Sequence, residues 1–320
     1  MKLIFFVIRR IVFCLLTIWL VITLTFILMH FLPGDPFTSD KMVHPQILDN
    51  LKERYGIEEP VHERYVTYLR GIAKGDLGIS MVYRNRSVNS IIKRTFPVSL
   101  DLGLRAFITA VFVGLFFGIM SAVYKGKLID YFTLTISMIG VAVPGFILAT
   151  IFQYFFCYRF TELVRGFLGV NYRVFPVTGW EGFRYTIVPS MALAFGAFGI
   201  IARMMRESMI NTYKKNYILA ARAKGLKEKE IVLKHVLKNA ALPVLSLLGP
   251  LFTSIILGSF VIESIFSIPG LGQHLVSSVK AGDYTMVLGL SMFTSFVVII
   301  VNTLTDILYT FIDPRVRIEK

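Results

Sequence analysis

Six long apolar segments constrain this chain more than any other feature of its sequence. They cover residues 11–32, 99–124, 131–158, 186–205, 244–262 and 285–312. About 20 helical residues cross the roughly 30 Å hydrocarbon core of a bilayer, and all their backbone groups must be hydrogen-bonded within it. Hydrophobic residues make up 55% of the chain and charged residues 17%, whereas soluble proteins carry roughly a quarter charged residues. We therefore predict an all-α, polytopic membrane protein with six transmembrane helices.

The distribution of Lys and Arg predicts the orientation of these helices. With the N terminus inside, the cytoplasmic segments are 1–10, 125–130, 206–243 and 313–320, and the external ones are 33–98, 159–185 and 263–284. Short cytoplasmic loops carry an excess of basic residues, while loops beyond about 60 residues cross the membrane largely regardless of charge. Both termini are therefore expected in the cytoplasm. The net charge of +14 reflects this topology, and nucleic-acid binding is not expected.

The segments between the helices suggest four regions. Residues 1–32 are an N-terminal segment with an uncleaved first span, and residues 33–98 form an extracytoplasmic cap. Residues 99–312 form a five-helix membrane core with a cytoplasmic loop at 206–243, and residues 313–320 form a cytoplasmic tail. Inside the cap, the patterns predict one short helix after Pro45 and a second over 61–74, which ends at Gly75.

No pattern in the chain indicates a catalytic centre, a metal site or a cofactor. Cys14 and Cys157 lie in apolar segments without metal-ligand spacing. His62-Glu63 lacks the second histidine of a zinc-protease motif. Gly126-Lys127 lacks the upstream glycine and the following Ser or Thr of a phosphate-binding loop. We therefore predict a protein that is not itself an enzyme.

Small residues in the second and third spans indicate close packing and a break. Small residues at intervals of four let another helix approach closely, and we expect this packing role for Ala110, Gly114, Gly118 and Ala122. In the third span, Gly140, Pro144 and Gly145 interrupt the helix near its middle. Such breaks occur where protein or a water-filled cavity satisfies the freed carbonyls, so this span is expected to line an internal path.

Charged and polar residues near the ends of two spans form possible pairs. Asp101 and Arg105 lie four apart at the outer end of the second span. Asn302 and Asp306 have the same spacing near the cytoplasmic end of the sixth. We interpret both pairs as interfacial anchoring or pairing, with substrate or ion contact as the alternative.

The cytoplasmic loop contains a short helix between two membrane spans. Asn216 is suited to the N-cap and Gly225 to the C′ position, which predicts a helix over 217–224. Its residues Tyr217, Ala220, Ala221 and Lys224 are expected on one flat face that a partner can approach, with Arg222 beside it. A second helix is expected over 228–241, ending before Pro243. The alternative is a basic anchoring loop without a partner.

Several segments of this chain resemble the membrane subunits of binding-protein-dependent ABC importers, closest in form to the dipeptide and oligopeptide branch. The matching segments are Tyr217-Ile-Leu-Ala-Ala-Arg-Ala-Lys-Gly225-Leu, Lys234-His-Val-Leu-Lys-Asn-Ala-Ala-Leu-Pro243, Pro33-Gly-Asp-Pro36, Leu77-Gly-Ile-Ser80, Glu263-Ser-Ile-Phe-Ser-Ile-Pro-Gly-Leu-Gly272 and Asp313-Pro-Arg315. One position departs from the general pattern: the acidic-Ala-Ala triplet reads Leu219-Ala220-Ala221 here. The ordered set spans nearly the whole chain.

The resemblance implies the type I ABC importer permease fold and a role in peptide uptake by alternating access. It implies that 217–224 is the coupling helix, seated in a cleft of a cytosolic ATPase subunit, and that ATP hydrolysis belongs to that partner. The implied assembly contains a second homologous permease, two ATP-binding subunits and an extracytoplasmic solute-binding protein, and it lies in the lipid of the cell membrane. The candidate pathway and gating residues are Gly140, Pro144, Gly145, Glu263, Pro269, Gly270 and Gly272.

Three other functions remain open from the sequence. The same branch also handles nickel chelates, metallophores and other small solutes. A secondary transporter or channel working alone would require a buried ionisable relay and paired broken helices, of which the chain offers one break at Pro144. An intramembrane enzyme would require a nucleophile motif, and Gly-x-Ser-x-Gly, Gly-x-Gly-Asp and His-Glu-x-x-His are missing from the sequence.

Overall fold

The computed structural model describes residues 2–31, 59–83, 85–169 and 173–312. Within these ranges the chain forms helices and no strand. The predicted helix after Pro45 and the motifs at 33–36 and 313–315 lie outside the described residues. Among the described residues, five helices are long and apolar enough to cross a membrane, and there are six crossings if one sharply bent helix pair counts as a single span. The predicted all-α fold is confirmed.

The helices of the described ranges are numbered here in chain order. They are α1 (Lys2–Phe31), α2 (Val61–Ala73), α3 (Val88–Val123), α4 (Leu128–Ala142), α5 (Gly145–Phe152), α6 (Phe160–Leu168), α7 (Phe183–Tyr213), α8 (Asn216–Ala223), α9 (Glu228–Glu230), α10 (Leu237–Ile265), α11 (Leu271–Lys280) and α12 (Tyr284–Ile312). Two π-helical segments, Gln153–Arg159 and Ile231–Val236, join α5 to α6 and α9 to α10.

The chain divides into two compact units. One contains residues 1–98 and 269–300 with the last residue, and the other contains 99–268 and 301–319. In the first unit α2 packs on α1, where the hydroxyl groups of Thr23 and Tyr65 are 2.6 Å apart and the rings of Phe26 and Tyr65 meet edge to face. The prediction of a helix over 61–74 is confirmed, and Gly75 follows it with a φ of +77°.

In the second unit, small residues let α3 and α4 lie directly against α7. A Cβ on Gly118 would come within 2.6 Å of the Ala202 carbonyl oxygen, and one on Gly199 within 2.6 Å of the Ser137 oxygen. Side chains cannot fit at such distances, so these glycines set the spacing between the helix backbones. Gly114, from the stripe of small residues in the second span, makes a similarly close approach to Ile201.

The remaining two members of that stripe, Ala110 and Ala122, are also buried. Both belong to the buried apolar cluster that also contains Ile201 and Met205 of α7.

The break predicted in the third span is present and sharp. The axes of α4 and the following helix differ by 114° across Val143 and Pro144. Val143 is extended, as expected for the residue before a proline, and Pro144 has no N–H with which to continue the helical ladder. The chain resumes as helix at Gly145. The predicted interruption at this position is confirmed.

The helix predicted over 228–241 does not end before Pro243. Residues Glu228–Ile265 form one continuous helix that contains Pro243 and Pro250. A proline inside a helix removes one backbone hydrogen bond, whereas a full break in an apolar setting would leave several groups unsatisfied. The loop helix and the fifth span are consequently a single rod, and the predicted boundary was wrong.

Candidate functional site

The short helix α8 lies between the end of α7 and the start of α9. Its first turn is defined by the carbonyl of Lys215, which accepts hydrogen bonds from the N–H groups of Ile218 and Leu219 at 3.0 and 3.4 Å. Lys215 is extended and therefore occupies the N-cap position. The prediction placed Asn216 there, and the structure shifts the helix by one residue towards the N terminus, to Asn216–Ala223.

The C-terminal end of α8 depends on a glycine. Gly225 has a φ of +78°, in the left-handed region that β-branched residues avoid. Its N–H donates to the Arg222 carbonyl at 2.9 Å, and the N–H of Leu226 donates to the Ala221 carbonyl at 3.4 Å. These two bonds form a Schellman motif, which satisfies carbonyls at the helix end. The predicted C′ conformation of Gly225 is confirmed.

The face that α8 presents to solvent differs from the prediction. Ala221 is 7% exposed and Ile218 is completely buried. Because Ile218 is large and apolar and lies three residues before Ala221, burying it turns Ala221 inward as well. The predicted outward face of Tyr217, Ala220, Ala221 and Lys224 was therefore wrong at Ala221. The i, i+3 spacing of Ile218 and Ala221 was the sequence signal that indicated this orientation.

The outward face of α8 is formed by side chains of moderate size. Tyr217, Leu219, Ala220, Ala223 and Lys224 are all exposed. Large exposed apolar groups on a helix outside the membrane are typical of a docking surface. We call these five residues the outer face of α8.

The inner face of α8 belongs to the apolar core of the second unit. Ile218 and Ala221 share one buried cluster with Met209 of α7 and with Ile231 and Val236 of the π-helical segment. Isolated helices shorter than about 12 residues are marginal in water, so α8, with 8 residues, takes its position from this burial. It is thereby attached to both helices that flank it.

Arg222 of α8 makes polar contacts with both flanking helices. Its Nε donates to Glu228 Oε1 at 2.6 Å, and its guanidinium carbon lies 5.9 Å from the centre of the Tyr213 ring. The hydrogen bond to Glu228 raises the pKa of Arg222 above its ordinary value, so the side chain stays charged at physiological pH. Arg222 thus joins the end of α7 to the start of α9, on either side of α8.

A buried ion pair that the sequence analysis missed joins three membrane helices. Asp130 is 2% exposed and receives two hydrogen bonds from Arg206, at 2.6 Å from Nε and 2.9 Å from Nη2. It also accepts from the Ser121 hydroxyl at 2.5 Å and from the Gly126 N–H at 2.8 Å. The pair connects the end of α3, the start of α4 and α7. Its partners are 76 residues apart, so no local pattern indicated it.

The break between α4 and α5 borders a cleft of about 570 Å³. Its lining residues come from α4, α5, α7, α10 and the break itself: Gly140, Val141, Ala142, Val143, Pro144, Gly145, Phe146, Leu148, Ala192, Leu193, Gly196, Ala197, Ile200, Leu251, Ser254, Ile255, Gly258, Val261 and Ile262. Ser254 carries the one polar side chain among these lining residues. The cleft is therefore an apolar hollow in the second unit.

The structure brings three of the candidate pathway residues together and separates the others. Gly140, Pro144 and Gly145 all line the cleft. Glu263 does not line it. That residue is fully buried near the end of α10, where its carboxylate accepts from the Ser259 hydroxyl at 3.0 Å.

The remaining candidates, Pro269, Gly270 and Gly272, belong to the other unit, around the start of α11. The backbone before them makes a tight turn, with Ser267 at a φ of +51° and the Ile268 N–H bonded to the Glu263 carbonyl at 2.8 Å. A gating role for this segment stays a prediction.

The predicted pair at the outer end of α3 is present. Arg105 Nε lies 2.9 Å from both carboxylate oxygens of Asp101, and both side chains are about two-fifths exposed. Asn302 does not meet a described partner on its own helix and instead accepts from the Thr253 hydroxyl at 3.0 Å. The side chain of Asp306 lies outside the described residues.

We expect Asp130→Asn to destabilise the protein by about 3 to 5 kcal/mol, because it leaves the Arg206 guanidinium buried without its charge partner. The matched control is Asp101→Asn, which removes the exposed partner of Arg105 and should cost less than about 1 kcal/mol. The measurement is the thermal unfolding midpoint of each purified variant in the same detergent. Equal shifts for the two variants would contradict the structural role assigned to the Asp130–Arg206 pair.

Two family descriptions together match nearly the whole chain. Residues 114–318 match the family described as binding-protein-dependent transport system inner membrane component, and residues 3–103 match the N-terminal region of the corresponding membrane component. Among solved structures, the inward-facing MetNI methionine ABC transporter aligns with a TM-score of 0.54 at 19% identity, covering 70% of this chain and 96% of that one. This likeness shows the fold, which is that of an ABC importer permease, as the sequence predicted.

Curated relatives match over almost their full length. The dipeptide transport system permease protein DppB of Bacillus subtilis is 38% identical over 304 residues, 95% of each chain. The oligopeptide transport system permease protein OppB of Haemophilus influenzae is 39% identical over 314 residues, 98% of this chain and 99% of that one. The chain therefore belongs to the family of inner-membrane components of binding-protein-dependent transport systems, and it is a multi-pass permease subunit of an ABC importer.

Proposed function

We propose that this chain forms half of the translocation pathway of an ATP-driven peptide importer and that α8 couples it to a cytosolic ATPase subunit. The observation that carries the proposal is that α8 is buried on one side and exposed on the other. One face is anchored in the permease core through Ile218 and Ala221, and the opposite face is exposed. A helix built in this way can receive a push from a separate protein and pass it to the membrane helices.

The outer face of α8 is suited to a cleft in a partner protein. Tyr217 and Leu219 are large enough to fill a pocket, and Ala220 and Ala223 between them allow close backbone approach. Lys224 at the end adds a positive charge. The acidic residue found at position 219 in the general importer pattern is leucine here, so docking at this position relies on apolar contact and not on a salt bridge.

Movement of α8 would reach the membrane through two rigid connections. Tyr213, the last residue of α7, is separated from α8 by two residues, and Glu228 begins a continuous helix that runs to Ile265. Because the buried cluster holds α8 to both, it cannot shift without displacing them. A two-state bundle responds to such differential contact by changing its population of inward-open and outward-open states.

The apolar cleft at the α4–α5 break is the proposed segment of the pathway in this subunit. Gly140, Pro144 and Gly145 give it a wall without bulky side chains. Weak, mostly apolar contacts suit a transporter that must release its cargo and accept varied side chains. The full-length similarity to permeases named for dipeptides and oligopeptides supports peptides as the substrate class, ahead of nickel chelates and metallophores.

The proposed assembly and orientation complete this account. A second permease subunit would close the pathway, two ATP-binding subunits would dock on the cytoplasmic side, and a solute-binding protein would deliver peptide from outside. Both termini are placed in the cytoplasm because the α7–α10 loop is the most basic short connection. In this orientation the outer face of α8 meets the ATPase.

A cysteine at Ala220 should cross-link to the ATPase subunit in the assembled transporter, in a background with Cys14 and Cys157 replaced by alanine. The matched control is a cysteine at Ala221, its neighbour on the same helix, which should give little product because that side chain points into the permease core. The measurement is the mass of the cross-linked product. Equal cross-linking from both positions, or none from Ala220, would contradict the docking geometry.

Gly225→Val should lower uptake of labelled peptides about tenfold, because a left-handed φ costs a β-branched residue about 1 to 2 kcal/mol and distorts the end of α8. The control is Gly75→Val. Gly75 has a φ of +77° and Gly225 a φ of +78°, and a Cβ added at either position would have no other atom within 4 Å. Valine should therefore cause the same backbone strain at both positions, but at Gly75 this strain lies far from α8 in the chain.

Uptake is measured in a deletion strain complemented with each variant and offered labelled peptides of graded length. Both variants should insert and assemble, and the Gly75 variant should retain most of the wild-type uptake. Normal uptake by the Gly225 variant would refute the role of this turn. Restoration of nickel uptake but not peptide uptake by the wild-type chain would overturn the substrate assignment.

A further inference from the structure

A second hollow lies where the ends of α3 and α7 meet the start of the continuous helix Glu228–Ile265. It is separate from the outer face of α8 and from the cleft at the α4–α5 break. It has a volume of about 910 Å³. We call it the basic groove, and its lining residues are Ile119, Met120, Ala122, Val123, Tyr124, Lys125, Ile210, Tyr213, Lys214, Arg222, Glu228, Lys229, Val232 and Leu233. The outer face of α8 does not contribute to it.

The floor of the basic groove is apolar and uncovered. Val123 is 43% exposed and Leu233 57% exposed, and Ile119, Ile210 and Val232 are partly exposed beside them. Exposed apolar groups that line a concave surface are a favourable site for a hydrocarbon chain. The side chains of the described residues leave this floor open.

The rim of the groove carries three lysines without acidic partners. Lys125, Lys214 and Lys229 are exposed, and none of them forms an ion pair within the described part of the chain. The fourth cation, Arg222, is already neutralised by Glu228 at 2.6 Å. The groove therefore combines three unpaired lysines with an apolar floor.

The groove lies beside the ends of two helices that are long and apolar enough to cross a membrane. α3 ends at Val123 and α7 at Tyr213, and aromatic residues such as Tyr124 and Tyr213 are typical of the membrane–water interface. In the proposed orientation this interface is the cytoplasmic one, so this inference rests on the proposed function. Anionic lipids are characteristic of that leaflet, and basic pockets between transmembrane helices bind their head groups.

We propose that the basic groove binds an anionic phospholipid of the cytoplasmic leaflet. The phosphate would lie among Lys125, Lys214 and Lys229, and one acyl chain would run along the floor formed by Val123 and its apolar neighbours. A phospholipid supplies a phosphate for the lysine rim and an acyl chain for the apolar floor, whereas a free phosphate would leave the floor exposed. The lining includes residues of α3, of α7 and of the continuous helix Glu228–Ile265. A bound lipid would therefore hold the two helices that flank α8 against α3.

The test measures lipid retention by the purified, assembled transporter with native mass spectrometry. The probe is an equimolar mixture of phosphatidylglycerol and phosphatidylcholine. The wild-type complex should retain phosphatidylglycerol preferentially. The triple variant Lys125→Gln, Lys214→Gln, Lys229→Gln should lose this preference at least about tenfold, since each basic residue near the surface contributes about a fivefold attraction.

The matched control removes three exposed lysines that do not line the groove: Lys93→Gln, Lys227→Gln and Lys238→Gln. It has the same net charge as the groove variant and should retain phosphatidylglycerol like the wild type. Equal losses for the two triple variants would show general attraction to the protein charge and would overturn the site.

A further variant separates a lipid from a free anion. Val123→Trp keeps all three lysines and fills the apolar floor, so it should also lose phosphatidylglycerol. Full retention by this variant would show that the acyl chain does not use the floor, which would refute the groove as a lipid site. Lipid retention is measured without transport. A failed retention test would therefore leave the peptide-importer proposal standing. Absence of peptide uptake by the wild-type transporter would, in turn, leave the lipid result unchanged.

Discussion

An eight-residue helix in water gains too little from its own hydrogen bonds to hold one position, so the position of α8 in this permease depends on the burial of Ile218 and Ala221. Their contact with Met209, Ile231 and Val236 joins α8 to the helices on both sides. The Schellman turn at Gly225 then fixes the direction in which the chain leaves α8. The proposed transmission of force from α8 to the membrane helices depends on this attachment.

The helices that would receive the force are themselves tightly joined. Gly118 and Gly199 bring the backbones of α3 and α4 against α7 at distances that no side chain could share. At one end of the same bundle, the Asp130–Arg206 pair connects these three helices in a buried network. Close backbone packing transmits displacement instead of absorbing it. The break at Pro144 is the point in this bundle where the path of the chain changes sharply.

Much of this architecture could be predicted from local sequence. Long apolar segments identify the spans, and Pro144 and Gly225 mark a break and a helix end because their backbone chemistry permits little else. The predicted orientation of α8 was partly wrong. The pair Ala220-Ala221 suggested a flat outer face, but burial of the larger Ile218 turns Ala221 inward. The predicted helix end before Pro243 is wrong, because leaving several backbone groups unsatisfied costs more than losing one hydrogen bond. The Asp130–Arg206 pair could not be predicted, because it depends on tertiary proximity.

The central claim is that α8 moves as one body with the membrane helix that follows it. The most direct test places spin labels at cysteines replacing Ala220 on α8 and Lys238 on α10, in the assembled transporter without native cysteines. Pulsed electron spin resonance then measures the distance between them in the nucleotide-free state and after trapping with ATP and vanadate. The attachment through Ile218 predicts the same mean and width of the distance distribution in both states. A second distance population that forms only in the trapped state would show that α8 moves independently and would contradict this account.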